Sequence, residues 1–186
     1  INMDAPHHME LRIQQKDFFL PAYVESIREK VGRKIDSLLD DLEANGPVVD
    51  FVKFFSTQLP LFTLCEMLGV EEEDRPKIVE WMHYLELATQ FSTNPMRTFL
   101  SEPTFPFRFG PAVKDMFAYG ERVMADRRNN PRPDLLSIIA HSKIDGELLS
   151  QEFLDGSWLL IVFAGNDTSR NSLSGTIRLM TEFPDQ

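Results

Sequence analysis

Hydrophobic positions recur along most of this chain at intervals of three and four, the spacing that places side chains on one face of an α-helix. The most apolar run is the seven residues from Trp158 to Ala164, which leads directly into Gly165-Asn166-Asp167-Thr168. Beyond Arg170 the pattern becomes amphipathic, with Leu173, Ile177 and Met180 spaced by four and three. The span from about Ser150 to Glu182 therefore predicts one long central helix. Ser150 suits its cap, Gln151-Glu152 its first turn, and Pro184 follows its end. A glycine and a carboxylate at the end of a buried run need a specific reason. Glycine costs about 1 kcal/mol against alanine in a helix interior, and an unpartnered carboxylate resists burial.

The remaining elements follow from the same periods. Asn2 to His8 predicts a turn feeding a helix, with Asp4 as cap and Pro6 in the first turn. Pro21 opens a helix to about Ala44, whose stripe includes Val24, Ile27, Val31, Ile35 and Leu38. Asn45-Gly46-Pro47 ends it, and Val48-Val49 predicts a short extended piece. A third helix spans about Asp50 to Leu68 and closes at Gly69; a fourth starts at Glu71-Glu72-Glu73-Asp74 and runs to about Gln90. Those four acids suit the positive end of a helix and read as capping rather than as a metal site. From Ser92 to Gly110, Pro95, Pro103 and Pro106 interleave with Phe99, Phe105, Phe107 and Phe109, which predicts a long loop. Such a loop is either a lid over an entrance or a segment pinned to the core by its phenylalanines. A fifth helix covers about Pro111 to Asn129 and a sixth runs from Pro133 to near His141; Lys143 to Leu149, turning at Asp145-Gly146, predicts a small hairpin. The class is mainly α, helices packed around one long central helix. No repeat, low-complexity tract or linker divides it.

Composition narrows the function. With 186 residues, 42% hydrophobic and fifteen phenylalanines, the chain can bury a substantial core. A net charge of −10 argues against nucleic-acid and anionic-membrane binding, which rely on lysine and arginine. The single cysteine, Cys65, excludes an internal disulfide and any multi-cysteine metal site; it sits among Leu61, Leu64, Met67 and Leu68 and reads as an inert core thiol. No signal peptide is evident, and the apolar run is shorter than the about 20 residues that span a bilayer. The chain opens on Ile1, so a piece of a longer protein is expected. His8 and Arg12, four apart on one face, are either a solvated helix start or two donors that grip a carboxylate or phosphate.

Ala164-Gly165-Asn166-Asp167-Thr168-Ser169, following an apolar run, resembles the distal helix of cytochrome P450 monooxygenases, whose pattern there is Ala/Gly-Gly-x-Asp/Glu-Thr-Thr/Ser. The stretch from Met3 to Arg12 resembles the family's proximal helix start, where a histidine and an arginine four residues on bind haem propionates. Phe19, Pro21, Asp134-Leu135-Leu136 and Asp145-Gly146-Glu147-Leu148-Leu149 follow the order of the soluble, bacterial-type members. Glu10 departs from the pattern at a site that is often basic.

The resemblance covers essentially the whole chain and implies the central portion of that fold, residues 1–186 as a single partial domain. It implies heme b in the complete parent, with His8 and Arg12 on its propionates. It implies that Thr168 donates a hydrogen bond to dioxygen, that Asp167 relays protons, and that Asn166 and Arg170 hold this relay in place. Ala164 and Gly165 form the oxygen groove, Gly165 by letting the backbone bulge. Phe163 and Ala164 bound a substrate pocket roofed by the Phe91 to Phe109 region, suited to a lipophilic small molecule. A ferredoxin or similar carrier would donate electrons, in the cytoplasm.

The family's cysteine thiolate belongs to a Phe-x-x-Gly-x-x-x-Cys-x-Gly loop downstream of the central helix. Around Cys65 the required phenylalanine and two glycines are replaced by Gln58, Leu61 and Met67, so Cys65 is not the ligand and this chain holds none. The Glu-x-x-Arg motif is also expected after the central helix; Glu25 to Arg28 and Glu72 to Arg75 match its letters but lie early. The expectation is a haem-thiolate monooxygenase whose isolated segment is inactive. The alternative is an all-helical ligand-binding or regulatory module without catalysis, disfavoured by the acidic charge and the lack of a basic helix-turn-helix. A haemless paralogue is a third reading.

Overall fold

The computed structural model describes residues 3–185, so Asn2 lies outside it. Its helices are α1 (His7–Gln15), α2 (Pro21–Ala44), α3 (Gln58–Leu68), α4 (Arg75–Thr93), α5 (Pro95–Ser101), α6 (Phe105–Asn129), α7 (Leu135–His141) and α8 (Gln151–Glu182). One antiparallel hairpin pairs β1 (Lys143–Ile144) with β2 (Glu147–Leu148) across Asp145-Gly146, both at positive φ.

The central helix begins where expected, because the Ser150 hydroxyl accepts the Phe153 N–H and the Ser150 backbone is extended. Its buried residues, Leu154, Trp158, Val162 and Asn166, recur every fourth position and form one face. The apolar run is therefore not buried all round: Leu160 is 45% exposed, and Gly165 and Thr168 also lie open. The polar residue taken into the interior is Asn166, whereas Asp167 is only half-buried.

Trp158 locks α8 to α6. Its indole N–H donates to the Met116 carbonyl at 3.0 Å, and its ring covers Gly120, where a Cβ would lie only 2.6 Å from the indole. Trp81 of α4 and Tyr119 of α6 complete an aromatic cluster around it. A second tie joins α3, α6 and α7. Gly69 ends α3 at φ +68°, Asp134 caps α7 by accepting the Ser137 N–H, and buried Arg127 donates to both Asp134 and the Gly69 carbonyl. α1 is held to the hairpin by Gln14, which bonds both backbone groups of Lys143, and by His7, 3.0 Å from Asp145.

Several expectations are corrected. The segment Ser92 to Gly110 is mostly helical, not a long loop. Asn94 caps α5 through the Arg97 N–H, and Pro95 and Pro106 sit in the first turns of α5 and α6, where a missing N–H costs no hydrogen bond. The third helix is interrupted by a π turn at Val52–Ser56, in which the Thr57 N–H reaches back to Val52. Val48-Val49 is not a strand. Pro6 precedes α1 as its cap position, and Asp4 contributes its carbonyl rather than its side chain, accepting the His8 N–H.

Candidate functional site

Opposite its buried face, α8 carries Phe153, Ser157, Leu160, Ala164 and Thr168 at spacings of three and four, an open or half-open stripe. α1 faces the first half of that helix. Between them is a cavity of about 970 Å³, lined by His8, Leu11, Arg12 and Gln15 of α1, Phe117 and Glu121 of α6, and residues from Glu152 to Ile161 of α8. His8 and Arg12 thus share one wall. Phe163, Ala164, Gly165, Asp167 and Thr168 do not line this cavity; they continue the helix beyond Ile161.

At Thr168 the hydroxyl donates to the Ala164 carbonyl at 2.9 Å. Beside it, the Asp167 Oδ1 accepts from Arg170 Nη2 at 2.8 Å and from Asn171 Nδ2 at 3.2 Å. Arg170 Nη1 reaches Glu86 of α4 at 2.6 Å, which ties this turn of α8 to a neighbouring helix. Glu86 and Asn171 were not read from the sequence. Asn171 follows the helical spacing of four from Asp167, but Glu86 is brought in only by the packing of α4 on α8.

Gly165 has a different surrounding from the one expected. α8 is regular across it, with no bulge, and a Cβ there would lie 3.1 Å from Leu64 Cδ1. That methyl is the end of a flexible side chain. Asn166 is 2% exposed, and its Oδ1 has no partner among the described residues. Phe163 is half-buried against the core. Cys65 is fully enclosed in α3, and burial pushes its thiol up to about 11. Among the described residues, no cluster of three or more His, Cys, Asp or Glu could hold a metal ion.

No family model matches the chain. It is 28% identical, over its whole length, to a steroid C26-monooxygenase of Rhodococcus jostii (strain RHA1), covering 37% of that protein. It is 29% identical, again over its whole length, to a methyl-branched lipid omega-hydroxylase of Mycobacterium tuberculosis (strain ATCC 25618 / H37Rv), covering 42%. Among solved structures, a Mycobacterium marinum cytochrome P450 in complex with pseudoionone superposes with a TM-score of 0.81 at 27% identity, over 99% of this chain and 43% of that one. The LnmZ cytochrome P450 hydroxylase of Streptomyces atroolivaceus gives 0.77 at 25% identity, over 98% and 47%. Over its whole length the chain is similar in sequence and fold to cytochromes P450. It spans 37% to 42% of the length of these curated relatives.

Cytochromes P450 carry haem, and the residues present fit one side of it. His8 and Arg12 offer a cationic fork and an imidazole to carboxylates, next to the apolar Leu11, Leu159, Leu160 and Ile161. Glu121, Glu152 and Asp155 line the same cavity and are unsuited to carboxylates, so the donors on α1 set which part would receive them. Cys65 is not in the cavity wall, and no thiolate of this chain faces it.

Proposed function

We propose that the whole protein is a haem-thiolate monooxygenase that inserts one atom of O2 into a lipophilic small molecule, and that this segment supplies its proximal helix start and its distal helix as part of one domain. The observation that carries the reading is the turn Ala164 to Arg170. A hydroxyl and a small residue share the open face of α8, and a carboxylate beside them is held in place from α4.

Bound haem would supply oxygen activation, with electron push from a cysteine thiolate outside this chain. His8 and Arg12 would grip its propionates. Thr168 holds a proton at Oγ1 on the open face and can swing it away from the Ala164 carbonyl. Arg170 and Asn171 engage Oδ1 of Asp167 and leave Oδ2 clear of both donors; the side chain is 32% exposed. Asp167 therefore picks up solvent protons and Thr168 delivers them, a general-acid relay over two adjacent residues. Ala164 leaves the space beside Thr168 open for oxygen, and Phe163 bounds the substrate.

Lipophilic substrates are supported by the names of relatives that act on steroids, methyl-branched lipids and linalool. The phenylalanines of α5 and the start of α6 add an apolar roof, with Phe99 and Phe107 open and Phe105 against Phe91 and Phe109. Electrons would come from a ferredoxin or similar carrier. No described helix is long and apolar enough to cross a membrane, and a cytoplasmic location is part of the proposal. The isolated segment would be inactive. Its carbon monoxide difference spectrum in the presence of haem tests this: no thiolate-type Soret band is expected, and its appearance would overturn the assignment of the ligand to another part of the protein.

A further inference from the structure

The aromatic cluster under α8 is arranged for more than filling space. Tyr119 stacks on Trp158 with ring centroids 5.7 Å apart and planes at 29°, while Trp81 lies 5.3 Å from Tyr119 and 6.3 Å from Trp158. All three are at most 5% exposed. Indole and phenol are among the side chains that lose an electron most readily, and rings in contact pass one between them.

Packing alone does not require a carboxylate beside each outer member. The Trp81 indole N–H donates to Asp115 Oδ2 at 3.1 Å. Asp74 lies near the Tyr119 phenol: burial, then the Asp74 charge, raise its pKa. Asp74 is itself paired with Lys77 at 2.8 Å, and these side chains are 19% and 48% exposed. The contacts thus run from the interior to the surface. Their inner end, Trp158, precedes Ala164 by six residues, about 9 Å along the helix axis.

We propose that Trp158, Tyr119 and Trp81 form an electron relay that drains oxidising equivalents from the Ala164 turn of α8 to the surface at Asp74 and Lys77. A one-electron oxidant generated at the haem site of the whole protein would take an electron from Trp158. Trp158 recovers it from Tyr119, whose phenolic proton passes to the Asp74 carboxylate. A solvent thiolate at the Asp74 and Lys77 surface then returns an electron to Tyr119 while Asp74 gives the phenolic proton back, and the thiyl radicals so formed pair to a disulfide. Trp81, with Asp115 beside it, shares the positive charge. The physiological source of the oxidant rests on the monooxygenase reading, but the relay can be tested without haem.

For the test, a ruthenium polypyridyl photosensitiser is attached to the Ala164→Cys variant; Cys65 is too deeply buried to compete. Flash oxidation with an external electron acceptor is followed by transient absorption. A tyrosyl radical is expected, and its loss in Tyr119→Phe assigns it. Trp158→Phe should abolish it while leaving the helical circular dichroism intact. Asp74→Asn keeps the aromatic packing but removes the proton acceptor, so the signal should become a tryptophan radical cation. A tyrosyl signal that survives Trp158→Phe or Asp74→Asn unchanged overturns the relay, as does the absence of any aromatic radical. Should Trp158→Phe fail to fold, Asp74→Asn decides. None of these outcomes bears on whether the whole protein is a monooxygenase.

Discussion

Thr168 Oγ1 donates to the carbonyl oxygen of Ala164, 2.9 Å away and one turn earlier on the open face of α8. Such a bond back to the i−4 carbonyl slightly weakens a helix, and Thr168 is exposed. Thr168→Ala should therefore leave the stability of this segment within about 0.5 kcal/mol. In the whole protein the same change should divert reducing equivalents from product to peroxide, and Thr168→Ser should restore much of the coupling. Equal product per electron in Thr168→Ala would remove the hydroxyl from the mechanism.

Stability should instead depend on Arg127. Its Nε donates to Asp134 at 2.7 Å and its Nη2 to the Gly69 carbonyl at 2.9 Å, and both charged side chains are at most 5% exposed. Arg127→Met leaves a buried carboxylate without its partner, a loss of about 3–5 kcal/mol. Gly69→Ala attacks the same joint, since it forces a side chain at φ +68° to within 2.2 Å of Asp134 Oδ2. Urea unfolding should place both variants well below the wild type, and a midpoint within error of it would show that the joint contributes little.

Two glycines should behave oppositely. At Gly120 an added Cβ meets the rigid Trp158 indole at 2.6 Å, so Gly120→Ala should cost about 1–3 kcal/mol by overpacking. At Gly165 it meets only a terminal methyl of Leu64 at 3.1 Å, which can yield, and alanine gains about 1 kcal/mol of helix propensity. Thermal melting of Gly165→Ala should show little change or a gain. A loss as large as that of Gly120→Ala would mean that the turn depends on glycine for backbone freedom.

These contrasts show which features were legible in the chain. α8 was readable to within a residue because its signals are local: Ser150 before it, Pro184 after it, and a four-residue period between. Pro95 and Pro106 misled, because proline at a first helical turn looks like a breaker until the cap before it is known. The burial of Asn166 rather than Asp167 was hidden for a related reason. One residue turns a helix by about 100°, and an apolar run on all sides does not reveal which face the next polar residue takes. The pairing of Arg170 with Glu86 leaves no trace in either helix alone.

Acid should weaken the segment through Glu66. Burial pushes its carboxyl up, but the hydrogen bonds and charges of Lys30 at 2.8 Å and Arg75 at 2.6 Å outweigh this and hold it below the ordinary value. A folded-state pKa below the unfolded one gives stability that is complete above about pH 4.3 and is lost as pH falls through the depressed value. Unfolding free energies from pH 6 downward should therefore drop more steeply in the wild type than in Glu66→Gln. Parallel curves would mean that the pair is screened by solvent.

Asn166 supplies the last contrast, between an amide that costs stability and one that is used. Its Oδ1 is buried beside Asp167 without a partner among the described residues, and leaving such a group unsatisfied costs about 1–3 kcal/mol. Leucine has a similar shape and no polar atom, so Asn166→Leu should stabilise the segment by roughly 1 kcal/mol. Asp167 keeps its own partners, Arg170 and Asn171, in that variant. If Asn166→Leu instead lowers the melting temperature, the amide has a partner in solution, and an internal water is the group of the right size. A high-resolution crystal structure would then place that water on the buried side of α8, next to Asp167, the proposed proton carrier.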